Sequence, residues 1–165
     1  MKGIIFDLDL TLVDSTIAED ARRHHDWTLV YSLIPRFALY PGIEDVLQFI
    51  RSNKQRYLIS IVSTTPSSYV SRVTNFFHIP VDTIIGYHDA PIKPSPAAVL
   101  LAMKRMGTLP EDTISFGDRA IDIQASKAAG IKSIACTWGT KEAFLLRQSR
   151  PDVIISTASD MLLYL

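Results

Sequence analysis

Residues 2–11, KGIIFDLDLT, decide the fold. Ile4–Phe6 is apolar at every position, and the two acids Asp7 and Asp9 stop the run. A strand that faces solvent on one side alternates, whereas a continuous apolar run suits a strand buried on both faces, as in a parallel sheet. The same pattern recurs downstream. Tyr57–Val62 ends at Ser63, Thr83–Ile85 at Gly86 and Thr113–Phe116 at Gly117. Ser133–Cys136 is a fifth run, and Val153–Ile155 a sixth, placed on the sheet edge. Between them apolar residues recur at helical spacing. Ile43, Val46, Leu47 and Ile50 form one such face, and Val70, Val73 and Phe77 another after Pro66. Ser95 and Pro96 read as the cap and first position of a helix that carries Val99, Met103 and Met106 and closes at Gly107. Ile121, Ala125 and Ala128 share a further face, closed by Gly130. Strand–helix alternation of this kind predicts an α/β fold with a doubly wound parallel sheet. At 165 residues, with no repeat and no low-complexity linker, residues 1–165 read as one domain.

Residues 15–40 break the alternation. They carry Arg22, Arg23, His24 and His25, then Trp27, Val30, Tyr31 and Ile34 at helical spacing. This predicts one or two short helices inserted above the sheet after the first strand. The basic cluster reads first as a solvated helix face and second as a contact for an anionic substrate. His78 and His88 read as ordinary loop residues.

Composition narrows the function. Lys plus Arg is 17 and Asp plus Glu is 17, so there is no net field for gripping nucleic acid or an acidic membrane. A nucleotide or a nucleic-acid end stays open as a substrate. The single cysteine, Cys136, permits no internal disulfide and reads as a buried, inert thiol. Asp7 and Asp9 interrupt the apolar start that a signal peptide would need, and no run approaches the roughly 20 residues that span a bilayer. The expectation is a cytoplasmic protein without a membrane partner.

The polar residues gather at strand ends. Asp7 and Asp9 follow the first strand, Ser63 and Thr64 the second, Asp118 the fourth, and Lys93 lies in the loop after the third. Ligands of open α/β sheets bind beyond the carboxyl ends of the strands. Any one of these residues reads equally as a turn or a cap. All of them at one sheet edge read as a site.

Four motifs then stand in order: FDLDLTLVDS with Asp7, Asp9 and Thr11; ISIVSTTP with Ser63; IKPSPAAV with Lys93; and ISFGDRAIDIQASKAAGIKSI with Gly117, Asp118 and Asp122. Together they resemble the haloacid dehalogenase-like hydrolase superfamily over residues 1 to about 139. The stretch from Thr137 to Leu162 is also similar to the phosphoglycolate-phosphatase-like subgroup. The resemblance implies a Rossmann-like core and a Mg²⁺-dependent phosphatase. Asp7 would be the nucleophile that forms an aspartyl-phosphate. Asp9 would be the general acid and then the base. Ser63 and Thr64 would bind the phosphoryl group, and Lys93 would bind it and offset its charge. Asp7, Asp118 and the backbone carbonyl of Asp9 would be the metal ligands. Thr11 would tie the loop, and Asp122 would support the metal or hold Lys93.

Two positions depart from the family pattern without removing a catalytic atom. Leu10 stands where glycine is usual, and Thr64 where asparagine is frequent. The insert at 15–40 resembles a truncated cap. An open site of this kind suits a large phosphorylated substrate or closure by a partner, with Arg22, Arg23 and His24 placed to touch either. The chain itself would be a monomer or a small homo-oligomer. A phosphotransferase or sugar-phosphate mutase shares the motifs, but a mutase must keep water from its aspartyl-phosphate. A dehalogenase needs neither Asp9 nor a metal. A non-catalytic phospho-accepting regulatory domain carries its aspartate after a later strand and lacks a counterpart of Asp9.

Overall fold

The computed structural model describes residues 1–165. The first strand, β1 (Lys2–Phe6), leads into an excursion. This comprises the two-residue strand β2 (Val13–Asp14), helices α1 (Glu19–Arg23) and α2 (Trp27–Leu33), and β3 (Ala38–Leu39). β2 and β3 pair antiparallel, Val13 opposite Leu39, and so close the neck of the insert. The chain then alternates: α3 (Ile43–Ser52), β4 (Tyr57–Val62), α4 (Ser67–Phe76), β5 (Thr83–Ile85), α5 (Ala97–Met106), β6 (Thr113–Gly117), α6 (Ala120–Ala128), β7 (Lys132–Cys136), α7 (Ala143–Gln148) and β8 (Val153–Ile155).

All six long-range strands form one parallel sheet in the order β5-β4-β1-β6-β7-β8, with β8 on the edge. The chain winds outward from β1 through β4 to β5, then returns to β6 on the other side of β1. The order therefore reverses between β1 and β6, where open α/β sheets hold their ligands. The continuous apolar runs have the expected cause. Ile4, Phe6, Ile59 and Ile61 belong to one core with α3 and α4, while Ile5, Val62 and Ile85 join a second core with α5 and Ala125. Phe6 and Phe116, neighbours across β1 and β6, stack at 5.3 Å between ring centroids. No helix is long and apolar enough to cross a membrane.

Helix details differ from the sequence expectation in two places. α5 begins at Ala97, so Pro96 is its cap, and the Ser95 hydroxyl accepts from the Ala97 amide at 3.3 Å. In α6 the inward residues are Asp122, Ile123, Ala125 and Ser126, while Ile121 is half-buried and Ala128 exposed. Polar anchoring sets this rotation. Asp122 turns back to accept from the Arg119 amide at 2.9 Å, and the Ser115 hydroxyl donates to Ser126 at 2.6 Å. An apolar-only reading of the helix misses both.

The turn after β1 is tight. Leu10 adopts φ +66°, and its amide donates to the Val13 carbonyl at 2.8 Å. Gly139 packs against this turn so closely that a Cβ there would overlap the Leu10 carbonyl. A left-handed backbone costs an L-residue about 1 kcal/mol that glycine does not pay. Leu10→Gly is therefore expected to be more stable than Leu10→Ala by about 1 kcal/mol, the reverse of the helix order. Urea unfolding of the two variants checks this, and an alanine advantage would mean the turn is not left-handed.

Candidate active site

Asp7 is the first residue beyond β1, and its amide donates to the Phe116 carbonyl of β6 at 2.9 Å. That bond fixes the Asp7 backbone at the point where the strand order reverses. Asp118 stands just beyond β6 on the other side of the same point. Ser63 follows β4, with its amide on the Ile85 carbonyl at 3.0 Å. Lys93 reaches in from the loop after β5 and is 6% exposed. Its ammonium donates to Asp7 Oδ1 at 2.8 Å and to the Val62 carbonyl at 3.0 Å, and it forms an ion pair with Asp122. The three N–H donors of the lysine are thus all engaged.

Each remaining acid has its own anchor. The Thr11 hydroxyl donates to Asp118 Oδ1 at 3.0 Å, and Trp138 Nε1 holds the Thr11 carbonyl at 2.9 Å. Asp118 Oδ2 is buried with no hydrogen-bond partner. A Cβ at Gly117 would overlap the Asp122 side chain, so only glycine lets Asp122 fold back beneath the site. The Ser63 hydroxyl shares a 2.7 Å hydrogen bond with that of Thr65 and accepts from the Thr65 amide at 3.1 Å.

Carboxylate oxygens of Asp7, Asp118 and Asp122 lie within 4.8 Å of one another. Burial pushes Asp7 up to about 7, with Asp122 and Asp9 adding to the rise and Lys93 opposing it. Burial likewise raises Asp118 to about 8, helped by Asp7 and Asp122 and opposed by the Thr11 hydrogen bond. Burial alone would lower the Lys93 ammonium, but Asp122 and Asp7 together hold it above its ordinary range. Three carboxylates thus crowd round one ammonium, and Asp118 among them keeps a bare buried oxygen. Hard, negatively charged oxygens in that arrangement fit a divalent cation.

The Asp9 side chain stands apart from this cluster. Its Oδ1 accepts from the Tyr69 hydroxyl at 2.6 Å and from the Ser15 hydroxyl, and it lies 3.3 Å from Arg22 Nη1. Arg22 also holds the Ser15 carbonyl at 3.1 Å and sits 3.3 Å from the Tyr69 hydroxyl. Arg22 thus does not wave free from the insert toward a partner. Arg23 and His24 are exposed beside Glu19 and Asp20, as a solvated face would be. Tyr69 and Ser15 were not legible as site residues. The usable signal for Tyr69 was a tyrosine beside Val70 and Val73 on an apolar helix face, since a buried phenol needs a partner.

These residues wall a cavity of about 340 Å³ that includes Asp7, Asp9, Ser63, Thr64, Lys93 and Asp118, with Leu10 as its one hydrophobic residue. The insert contributes Glu19 and Arg22 to the wall, and Lys141 forms an ion pair with Glu19. A second cavity of about 530 Å³ shares Glu19, Arg22, Thr64 and Thr65 with the first and continues to Trp27, Tyr87 and His88. His25 also lines it, so the sequence-predicted loop residue His88 borders the site, while His78 lies beyond α4. Cys136 is buried, and burial raises its thiol well above the ordinary range, so it is inert.

The family model for haloacid dehalogenase-like hydrolases matches residues 22–136. The chain belongs to that family. The chain is 29% identical to a phosphoglycolate phosphatase of Pseudomonas putida over 93% of its own length and 57% of the relative's. It is 31% identical to phosphoglycolate phosphatase 1 of Pseudomonas aeruginosa over 75% of its length and 46% of the relative's. It therefore spans about half the length of these curated relatives. Among solved structures, a haloacid dehalogenase-like hydrolase of Streptococcus pneumoniae superposes with a TM-score of 0.83 at 23% identity, covering 99% of this chain and 98% of that one. CbbY of Rhodobacter sphaeroides, solved in complex with phosphate, gives 0.80 at 19% identity, covering 98% and 96%. These two establish the shared fold.

The crowded acids of this haloacid dehalogenase-like site predict a pH-dependent stability. Between the ordinary carboxylate range and about 7 to 8, the native state keeps protons that the unfolded chain has released. Stability without a cation is therefore greatest at the acid end of that window and is lost as pH rises through it. Asp118→Asn keeps an acceptor for Thr11 but cannot ionise. In chelator at pH 8 it is expected to melt a few degrees above the wild type, with the gap closing toward pH 5. Thermal unfolding at both pH values checks this, and a variant that melts lower at pH 8 would contradict it.

Proposed function

We propose that the protein is a divalent-metal-dependent phosphatase that hydrolyses a phosphate monoester through an aspartyl-phosphate on Asp7. The observation that carries this reading is the placement of Asp7. It sits at the sheet's reversal point in a polar cavity, bound to the Lys93 ammonium at 2.8 Å, with the unpartnered oxygen of Asp118 nearby. Asp7, Asp118 and the backbone carbonyl of Asp9 would hold Mg²⁺, with Asp122 supporting the cluster. When bound, the cation neutralises charge between the attacking carboxylate and the phosphoryl group.

The chain's own residues supply the rest. The Ser63 hydroxyl, buried at the cavity wall, donates to a phosphoryl oxygen once it turns from Thr65, and Thr64 lines the same wall. Lys93 offsets the charge that builds on the transferring group. Asp7 attacks phosphorus as the bond to the leaving oxygen breaks, and Asp9 gives that oxygen a proton. Asp9 then takes a proton from water, which attacks phosphorus and releases phosphate and the Asp7 carboxylate. The named activity of the curated relatives makes 2-phosphoglycolate the first substrate to assay. The adjoining cavity gives room for a larger leaving group. Residence in the cytoplasm accords with this reading.

Asp7→Asn, nearly isosteric, is expected to lower turnover of p-nitrophenyl phosphate by at least about 10³-fold without loss of fold. EDTA is expected to abolish wild-type activity and Mg²⁺ to restore it. Steady-state assays with circular dichroism check both points. Wild-type rates in the variant would remove the nucleophile, and full activity in EDTA would remove the metal.

A further inference from the structure

We propose that Tyr69 and Arg22 are positioning residues for Asp9, fixing one carboxylate oxygen so that the other presents the proton to the leaving group. This rests on the phosphatase reading above. The geometry behind it is lopsided. The Tyr69 hydroxyl at 2.6 Å, the Ser15 hydroxyl and Arg22 Nη1 at 3.3 Å all converge on Oδ1. A carboxyl oxygen offers two lone pairs, so Oδ1 is saturated and cannot also carry a proton. When Asp9 is the acid, its proton therefore sits on Oδ2.

The donors come from three separate parts of the chain, and this locks the carboxyl plane. Ser15 lies at the neck of the insert, Arg22 in α1, and Tyr69 in the first turn of α4. Tyr69 is fully buried and lies outside the cavity wall, so it cannot touch substrate. It is itself held in place, with Trp27 of α2 5.8 Å away between ring centroids and the Arg22 guanidinium 5.9 Å from its ring. The short insert thereby acts on the general acid through Arg22 and Trp27, whatever it does for the substrate.

The proton inventory follows. As the Asp7 oxygen bonds to phosphorus, the electron pair of the breaking P–O bond goes to the leaving oxygen. The Asp9 Oδ2 proton moves to that oxygen, giving an alcohol, aspartyl-phosphate and the Asp9 carboxylate. In hydrolysis Oδ2 recovers a proton from water, whose oxygen bonds to phosphorus as the Asp7–phosphorus bond breaks.

The test uses leaving groups that differ in their need for a proton. p-Nitrophenolate leaves without one, whereas the alkoxide of glycerol 2-phosphate requires one, and its uncharged leaving group gives Arg22 no ionic partner. kcat/KM reports the step in which the leaving group departs. Tyr69→Phe is expected to lower kcat/KM for glycerol 2-phosphate roughly tenfold, part of the 10²–10⁴-fold that a general acid contributes. The p-nitrophenyl ester is expected to lose less than about twofold. Arg22→Gln is expected to share this selective loss and Arg22→Lys to recover part of it, whereas Asp9→Asn is expected to lose turnover of both esters, because it also removes the base that hydrolyses the aspartyl-phosphate. Equal losses on both esters in Tyr69→Phe, or no loss on either, would overturn the proposal while leaving the phosphatase intact. A wild type that turns over neither ester would instead remove the phosphatase reading, and the positioning role with it.

Discussion

One buried ammonium organises the edge of the sheet that bears the candidate site. Lys93 binds Asp7 at the end of β1, the Val62 carbonyl at the end of β4 and Asp122 in the first turn of α6. Three elements that approach the edge separately are thereby drawn to one point. Buried ion pairs gain little net stability, because desolvation offsets most of the attraction. The arrangement is better understood as geometry. It aims the Asp7 carboxylate into the cavity and leaves the acids short of positive charge.

That shortage shapes everything around it. Asp7, Asp118 and Asp122 crowd within 4.8 Å, and two of them are raised to about 7 and about 8. The fold tolerates this because each acid has a fixed anchor: Lys93 for Asp7, Thr11 for Asp118, and the Arg119 amide for Asp122. Charge preorganised in this way costs no rearrangement when a ligand arrives. Asp9 is kept out of the crowd. Its anchors are neutral hydroxyls and an arginine from the insert, none of them part of the cluster only two residues away.

The insert is short but not idle. α1 reaches the rest of the chain through Arg22 on Asp9 and through Glu19 on Lys141, and all four residues line the cavity. Both are ionic, so the insert's seating responds to charge as well as to packing. The second cavity opens between the insert and the loop carrying Tyr87 and His88.

Much of this was legible in the chain itself. The apolar runs ending at Asp7, Ser63 and Gly117 gave strands β1, β4 and β6 and their shared edge, because a strand buried on both faces is apolar nearly throughout, with only small hydroxyls such as Ser60 and Ser115 inside its run. Asp7, Asp9, Ser63, Lys93, Asp118 and Asp122 were nameable because each stands in a short motif at a strand or helix end. The register of α6 was not, since Asp122 and Ser126 turn inward to polar partners that apolar spacing ignores. Nor was the role of Arg22, which reads as surface charge until α1 is folded over Asp9. Tyr69, 60 residues from Asp9, carries no motif at all. The sequence by itself determined which residues gather at the candidate site and which strands bear them, because periodicity and motif spacing are local. Only the tertiary structure decided which oxygen each donor meets, because that depends on the crossing of distant elements that no local pattern encodes.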